Sequence, residues 1–252
     1  MRRLKCAEVW GGIKNEQLDV CSRGLTVSLF SSACDGGKGG DVYFCSVCRG
    51  DRVTRVIMAD VVGHGAAVSE MGVWVHDELV GRMDDPVLAN VLSDLNGRAV
   101  TRGLEAMTTA VALSFDAVER RLDYGYAGHP PILLRRNGAW TELRHAIGNG
   151  SQNLPFGVDR TCRYETVGVS LESHAMLLLY TDGVIEAPSR GGGRFGLDRL
   201  RATLAEIDNQ DPMLLRNGAI ERLREWTGGL LEHDDVTLMA IQVDEHGEAH
   251  AG

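Results

Sequence analysis

Apolar side chains crowd into positions 56–62, which read Val56-Ile57-Met58-Ala59-Asp60-Val61-Val62, and a single carboxylate interrupts them. Gly63-His64-Gly65 follow at once. A branched apolar run of this length, ended by glycines, predicts a buried strand that delivers Asp60 at its end. An ionised carboxylate in that setting is costly unless a cation, a hydrogen-bond cage or a metal compensates it. Upstream, 25–30 and 41–48 are strand-like, and Arg49-Gly50-Asp51 predicts a hairpin turn into 52–62. After Gly65 the period changes: Val68, Met71, Val75, Leu79 and Met83 recur at three and four residues, the spacing of one helix face. Asp85-Pro86 predicts the opening of a second helix, with Leu88, Val91, Leu92, Leu95 and Ala99 on its apolar face.

Strand patterns return at 108–115, 121–127 and 132–135, which predict a meander with Gly128-His129-Pro130-Pro131 as one turn and Asn137-Gly138 as the next, before a strand at 139–143. A loop covers 148–157, and strands resume at 163–171 and 175–181. Gly191-Gly192-Gly193 precede helices near 197–207 and 212–226. A last strand, 236–243, leads into a polar tail, 244–252, that reads as disordered. This order has no βαβ alternation and no internal repeat. It suits an α+β fold in four layers, αββα, with two antiparallel sheets face to face and helices outside. No composition break marks a linker, so a single domain is expected over residues 1–252.

Composition narrows the function. Glycine is high, 31 of 252 residues, as tight turns between short strands require. The net charge of −9 argues against binding along a nucleic-acid backbone and leaves room for a divalent-cation site. Cys6, Cys21, Cys34, Cys45, Cys48 and Cys162 show no disulfide-scaffold rhythm, and Met1-Arg2-Arg3-Leu4-Lys5 has no apolar stretch behind it. The longest clean apolar run, 175–180, is far too short to span a membrane. A reduced, cytoplasmic protein is expected.

Four aspartates share one setting, a strand end beside a glycine or a second carboxylate. They are Asp41 after Gly39-Gly40, Asp60, Asp182 in Tyr180-Thr181-Asp182-Gly183, and Asp234 in His233-Asp234-Asp235-Val236-Thr237. Taken singly, Asp182-Gly183 reads as a turn, Asp234-Asp235 as a solvated cap and Gly39-Gly40-Asp41 as a bulge. Taken together, oxygen-only ligands converging on one cleft suit Mg²⁺ or Mn²⁺. Two such ions about 4 Å apart can share a hydroxide and aim it in line at phosphorus, with no side-chain nucleophile. Other signals are weaker. Cys45 and Cys48 form a C-x-x-C, but three residues apart on a strand they face opposite ways and no second pair follows. There is no G-x-S-x-G elbow and no phosphate-binding G-x-x-x-x-G-K-[ST] loop. Gly39-Gly40-Asp41 faintly resembles diguanylate cyclases, but Val42-Tyr43-Phe44 does not continue that motif.

Six motifs in order carry a fuller resemblance: Gly39-Gly40-Asp41, Asp60-Val61-Val62-Gly63-His64-Gly65, Ala127-Gly128-His129-Pro130-Pro131, Leu154-Pro155-Phe156-Gly157, Thr181-Asp182-Gly183-Val184-Ile185-Glu186 and Asp234-Asp235-Val236-Thr237-Leu238. From about residue 35 to 243 the chain resembles the SpoIIE/RsbU-type branch of the type-2C metal-dependent protein phosphatases. The resemblance implies an αββα sandwich and a centre of two Mn²⁺ or Mg²⁺ ions that hydrolyses phosphoserine or phosphothreonine on proteins. It implies that Asp60 bridges both ions, that Val61 lends its backbone carbonyl, that Asp182 and Asp234 complete the second ion's sphere, and that Asp41 acts mostly through metal-bound water. Asp235 falls where relatives vary and is kept as a neighbour. His64 would brace its turn.

Departures from the family pattern are local. Cys34-Asp35-Gly36-Gly37-Lys38 is unlike the usual acidic approach to Gly-Gly-Asp, and the phosphate-gripping arginine of eukaryotic relatives has no counterpart. Lys38, or Arg190 and Arg194 beside the glycine-rich insert, could stand in, although solvated loop cations are the plainer reading. The partners implied are phosphorylated regulators of the anti-sigma-factor antagonist type. Relatives often carry an upstream sensor, for which this chain leaves no room, so regulation is expected through a partner or through the two helices after His64. Two rival functions stay open at this point: a catalytically silent pseudo-phosphatase that binds such a partner, and a hydrolase of small phosphorylated metabolites.

Overall fold

In the computed structural model, which describes residues 1–34, 36–63, 66–144 and 153–245, backbone pairing follows the apolar pattern closely. The elements run β1 (Arg2–Arg3), β2 (Val9–Lys14), β3 (Glu16–Cys21), β4 (Leu25–Ser32), β5 (Lys38–Cys48), β6 (Val53–Val61), α1 (Ala66–Val80), α2 (Leu88–Arg102), a 3₁₀ turn (Leu104–Ala106), β7 (Thr108–Asp116), β8 (Arg121–Ala127), β9 (Ile132–Arg136), β10 (Ala139–Leu143), β11 (Val167–Ser170), β12 (Met176–Tyr180), α3 (Asp182–Ile185), α4 (Leu197–Ile207), α5 (Pro212–Thr227) and β13 (Val236–Val243). Asp35, His64, Gly65, the 145–152 part of the loop and the 246–252 part of the tail lie outside the described residues. Among the described residues no helix is long and apolar enough to cross a membrane.

Two sheets form, ordered β1-β3-β4-β13-β12-β9-β10 and β11-β8-β7-β6-β5-β2. Their facing sides bury Val27, Leu29, Leu177, Leu179, Met239 and Ile241 against Tyr43, Cys45, Val56, Met58, Val111 and Leu113. The opposite face of the six-stranded sheet carries Val42, Phe44, Ile57 and Ala59 under α1 and α2. That of the seven-stranded sheet carries Leu178, Tyr180, Leu238 and Ala240 under α4 and α5. Strands covered on both faces are apolar at successive positions, which is why 56–62 and 175–180 read as continuous runs. The architecture is the expected αββα sandwich.

Several boundaries move for identifiable reasons. The expected meander is broken: β8 belongs to the six-stranded sheet and β9 to the seven-stranded one. The crossing occurs at Gly128-His129-Pro130-Pro131, where Gly128 has φ +68° and two prolines supply no N–H for pairing. Helix α2 starts after Asp85-Pro86, and the Asp85 carboxylate instead accepts the Val87 N–H at 2.8 Å. The strand expected at 163–171 shortens to β11. Asp244 is no part of a loose tail: it is buried, and Thr26 donates a 2.9 Å hydrogen bond to it. Cys45 and Cys48 are free thiols, and burial pushes Cys45 up to about 12, as core packing rather than redox or metal chemistry requires.

One buried charge ties α1 and α2 to the sheet. Arg55 on β6 is 2% exposed, and its guanidinium donates to the carbonyls of Arg82, Met83 and Asp85 in the connection between those helices. Charge-assisted bonds of this kind are worth about 1.5–3 kcal/mol each in place, and truncation orphans three acceptors at once. Arg55→Ala is therefore expected to lower unfolding free energy by about 3 kcal/mol in urea titration; a loss under about 1 kcal/mol would contradict this role.

Candidate active site

Strand alternation decides where the first two aspartates point. Asp41 continues the inward row of Tyr43 and Cys45 on β5, and Asp60 continues that of Val56 and Met58 on β6. The antiparallel register sets Asp41 opposite Asp60, and Asp60 opposite Thr109 on β7. The seven-stranded sheet supplies the rest from the ends of two neighbouring strands, β12 and β13, which are paired as far as Tyr180 and Leu238. Asp182 opens α3 directly after β12, and Asp234 stands two residues before β13. His233 braces this edge, its Nε2 lying 2.7 Å from the Gly183 carbonyl.

A small polar network crosses between the sheets here. Thr181 Oγ1 donates to Asp41 Oδ2 at 2.8 Å and accepts the Thr237 N–H at 3.0 Å. The Thr237 hydroxyl lies 2.9 Å from that of Ser31. Asp41 is thereby held by one oxygen, while its buried Oδ1 has no hydrogen-bond partner. Asp234 Oδ1 accepts the Asp235 N–H at 2.8 Å. Ser31 carries no signal in the pattern beyond a polar position in a buried strand, whereas Thr181 and Thr237 both lie in segments that stand out.

These carboxylates feel one another. Burial, then the charges of Asp41, Asp182, Asp234 and Asp235, push Asp60 up to about 9. Burial raises Asp41 to about 8; Asp235 and Asp182 add to the rise, and the Thr237 and Thr181 hydroxyls oppose it. Asp182 is raised by burial, Asp234 and Glu186, and Asp234 chiefly by burial. Such a set is expensive to ionise without a counter-charge. All-oxygen donors, mutual repulsion and the orphaned Asp41 Oδ1 fit a hard divalent cation. Among the described residues, however, no three His, Cys, Asp or Glu side chains are already drawn into a ligand cage. The fold brings Asp41, Asp60, Asp182 and Asp234 to one edge of the sandwich without closing them into a coordination shell.

The family described as Stage II sporulation protein E (SpoIIE) matches residues 50–244, most of the chain. The chain belongs to the SpoIIE family. Among relatives, phosphoserine phosphatase RsbP of Bacillus subtilis (strain 168) is 28% identical over 137 residues, 52% of this chain and 33% of RsbP, so the chain spans a third of that protein's length. The RsbU and RsbW domains of Rv1364c from Mycobacterium tuberculosis share the fold with a TM-score of 0.75 at 23% identity, over 88% of this chain and 61% of that one. RsbX in complex with magnesium shares it with a TM-score of 0.67 at 17% identity, over 91% and 100%.

Other residues of this SpoIIE-family chain take supporting places. His129 is buried, its Nδ1 lies 2.8 Å from Thr109 Oγ1, and burial pushes it down to about 3, so it braces the sheet crossing as a neutral ring. Lys38 is exposed at the start of β5. Arg190 donates to the Gly228 carbonyl at 3.1 Å, and Arg194 pairs with Glu186 at 2.6 Å. Both arginines are engaged by surface partners.

Proposed function

We propose that this chain is a metal-dependent protein serine/threonine phosphatase whose residues 1–252 act as one catalytic domain. The observation that carries the reading is the placement of Asp41 opposite Asp60, with Asp182 and Asp234 arriving at the same edge from the facing sheet. Asp60, Asp182, Asp234 and the Val61 carbonyl are the donors assigned to two Mn²⁺ or Mg²⁺ ions, with Asp41 in the outer position. Held by these donors, such ions would supply positive charge to the cluster and would lower the pKa of water beside it.

The protein's own residues do the positioning. Asp60 stands one residue from the end of β6, a central strand that sets it between Asp41 on β5 and Thr109 on β7. Thr181, itself tied to Thr237, holds Asp41 by one oxygen, and the other oxygen is buried with no hydrogen-bond partner. Gly40 admits the Val61 carbonyl and the Val68 side chain, into which a Cβ would run. The substrate class proposed is phosphoserine or phosphothreonine on a regulatory protein of the anti-sigma-factor antagonist type in the cytoplasm; the name of the relative phosphoserine phosphatase RsbP supports the phosphoserine part.

Incubation with Mn²⁺ is expected to give hydrolysis of para-nitrophenyl phosphate and of a phosphoserine peptide, and EDTA to abolish both. Peptide binding without phosphate release would leave the silent binder instead. Faster turnover of phosphorylated metabolites than of phosphoproteins would move the substrate class.

A further inference from the structure

Asp235 is outside the four assigned carboxylates, yet it touches three of the segments that carry them. Its Oδ1 accepts the Cys34 N–H at 2.9 Å and its Oδ2 accepts the Gly40 N–H at 2.5 Å. One side chain beside the start of β13 thus ties Cys34, in the β4–β5 connection, to Gly40 on β5, directly before Asp41. Its N–H donates to Asp234 Oδ1, which fixes that carboxylate in turn. Its carbonyl oxygen lies against Gly183, where a Cβ would collide with it, and a Cβ on Gly39 would collide with its carboxylate. A carboxylate engaged by a backbone N–H on each oxygen has its orientation fixed. The two glycines are explained by the same residue, because each makes room for Asp235.

We propose that Asp235 is a positioning residue, a strap that sets Asp41, Asp182 and Asp234 at the separation a divalent ion needs while not ligating the ion itself. The inference rests on the reading of this edge as a divalent-ion site and adds a device that the ligand assignment does not contain. Asp235→Asn keeps the size of the side chain but turns one acceptor into a donor, so only one of the two N–H groups retains its partner.

The test is amide hydrogen exchange combined with Mn²⁺ titration of the melting temperature. In metal-free protein, Asp235→Asn is expected to speed exchange at Gly40 or Cys34 about tenfold or more. The Mn²⁺ concentration for half of the thermal shift is expected to rise roughly tenfold, in the range of lost supporting contacts around metal ligands. In wild-type protein, Mn²⁺ should leave protection at both amides intact. Gly39→Ala, which touches no assigned ligand, should reproduce the weakened titration, and it decides the matter if Asp235→Asn does not fold. Unchanged Mn²⁺ titration in both variants, or loss of wild-type protection on adding Mn²⁺, would overturn the strap, the latter by making Asp235 a ligand. A wild-type protein with no Mn²⁺-dependent shift would instead refute the divalent-ion reading beneath it.

Discussion

Asp60→Asn is expected to lower phosphatase turnover by more than about 100-fold, because loss of a mere outer partner of a metal ligand already costs about 10–100-fold. The fold should survive. Among the described residues the Asp60 side chain makes no hydrogen bond or ion pair, and its ionised form is opposed by burial and by four neighbouring carboxylates. An amide of the same size removes that repulsion while keeping the side-chain volume. Metal-free Asp60→Asn should therefore melt at or above the metal-free wild-type temperature, and the Mn²⁺-dependent rise should shrink or vanish. Turnover within about tenfold of wild type at saturating Mn²⁺ would remove Asp60 from the centre of the mechanism. A variant that unfolds in the absence of metal would show that the residue holds the fold rather than the ion.

The part of this site that was legible in the sequence is the part written in strand ends. A buried apolar run with one carboxylate at its close predicts β6 and Asp60, and the helical spacings predict the buried faces of α1 and α2 except at Met83, which lies past the end of α1 and is half-buried, and at Asn96, a buried polar residue of α2 that an apolar period passes over. The strands β2 and β3 were not legible, because Val9–Lys14 carries two glycines and Glu16–Cys21 alternates only weakly; the tertiary partners β5 and β4 decide their state. Gly11 illustrates the point: a Cβ there would strike the Tyr43 carbonyl, so the residue that weakens the strand pattern is needed for the pairing. The sheet crossing at Gly128–Pro131 reads in the sequence as one turn of a meander, since a turn that stays in one sheet and one that changes sheets use the same residues. Thr181, Thr237 and Asp235 act through partners more than fifty residues away, and no local pattern records such distances.

The stability of the metal-free protein should fall as pH rises. Folded Asp60 and Asp41 keep their protons up to about 9 and about 8, whereas their ordinary value is 3.8. Between these limits the native state binds more protons than the unfolded chain, so unfolding free energy declines with increasing pH. The favourable contribution is complete below about pH 4 and is lost as pH passes through the folded values near 8 and 9. One pKa unit corresponds to about 1.4 kcal/mol, and 1 kcal/mol moves the melting temperature of a chain this size by about 2–4 °C. In EDTA, the melting temperature is accordingly expected to drop by at least about 5 °C between pH 6 and pH 9. Saturating Mn²⁺ should flatten or invert this slope, because a cation binds the ionised carboxylates and its affinity grows as their protons leave. The two melting curves then diverge steadily with pH. Parallel curves would mean that Mn²⁺ binds away from Asp41 and Asp60, and an EDTA curve that rises with pH would mean that these side chains are already ionised and compensated in the folded chain.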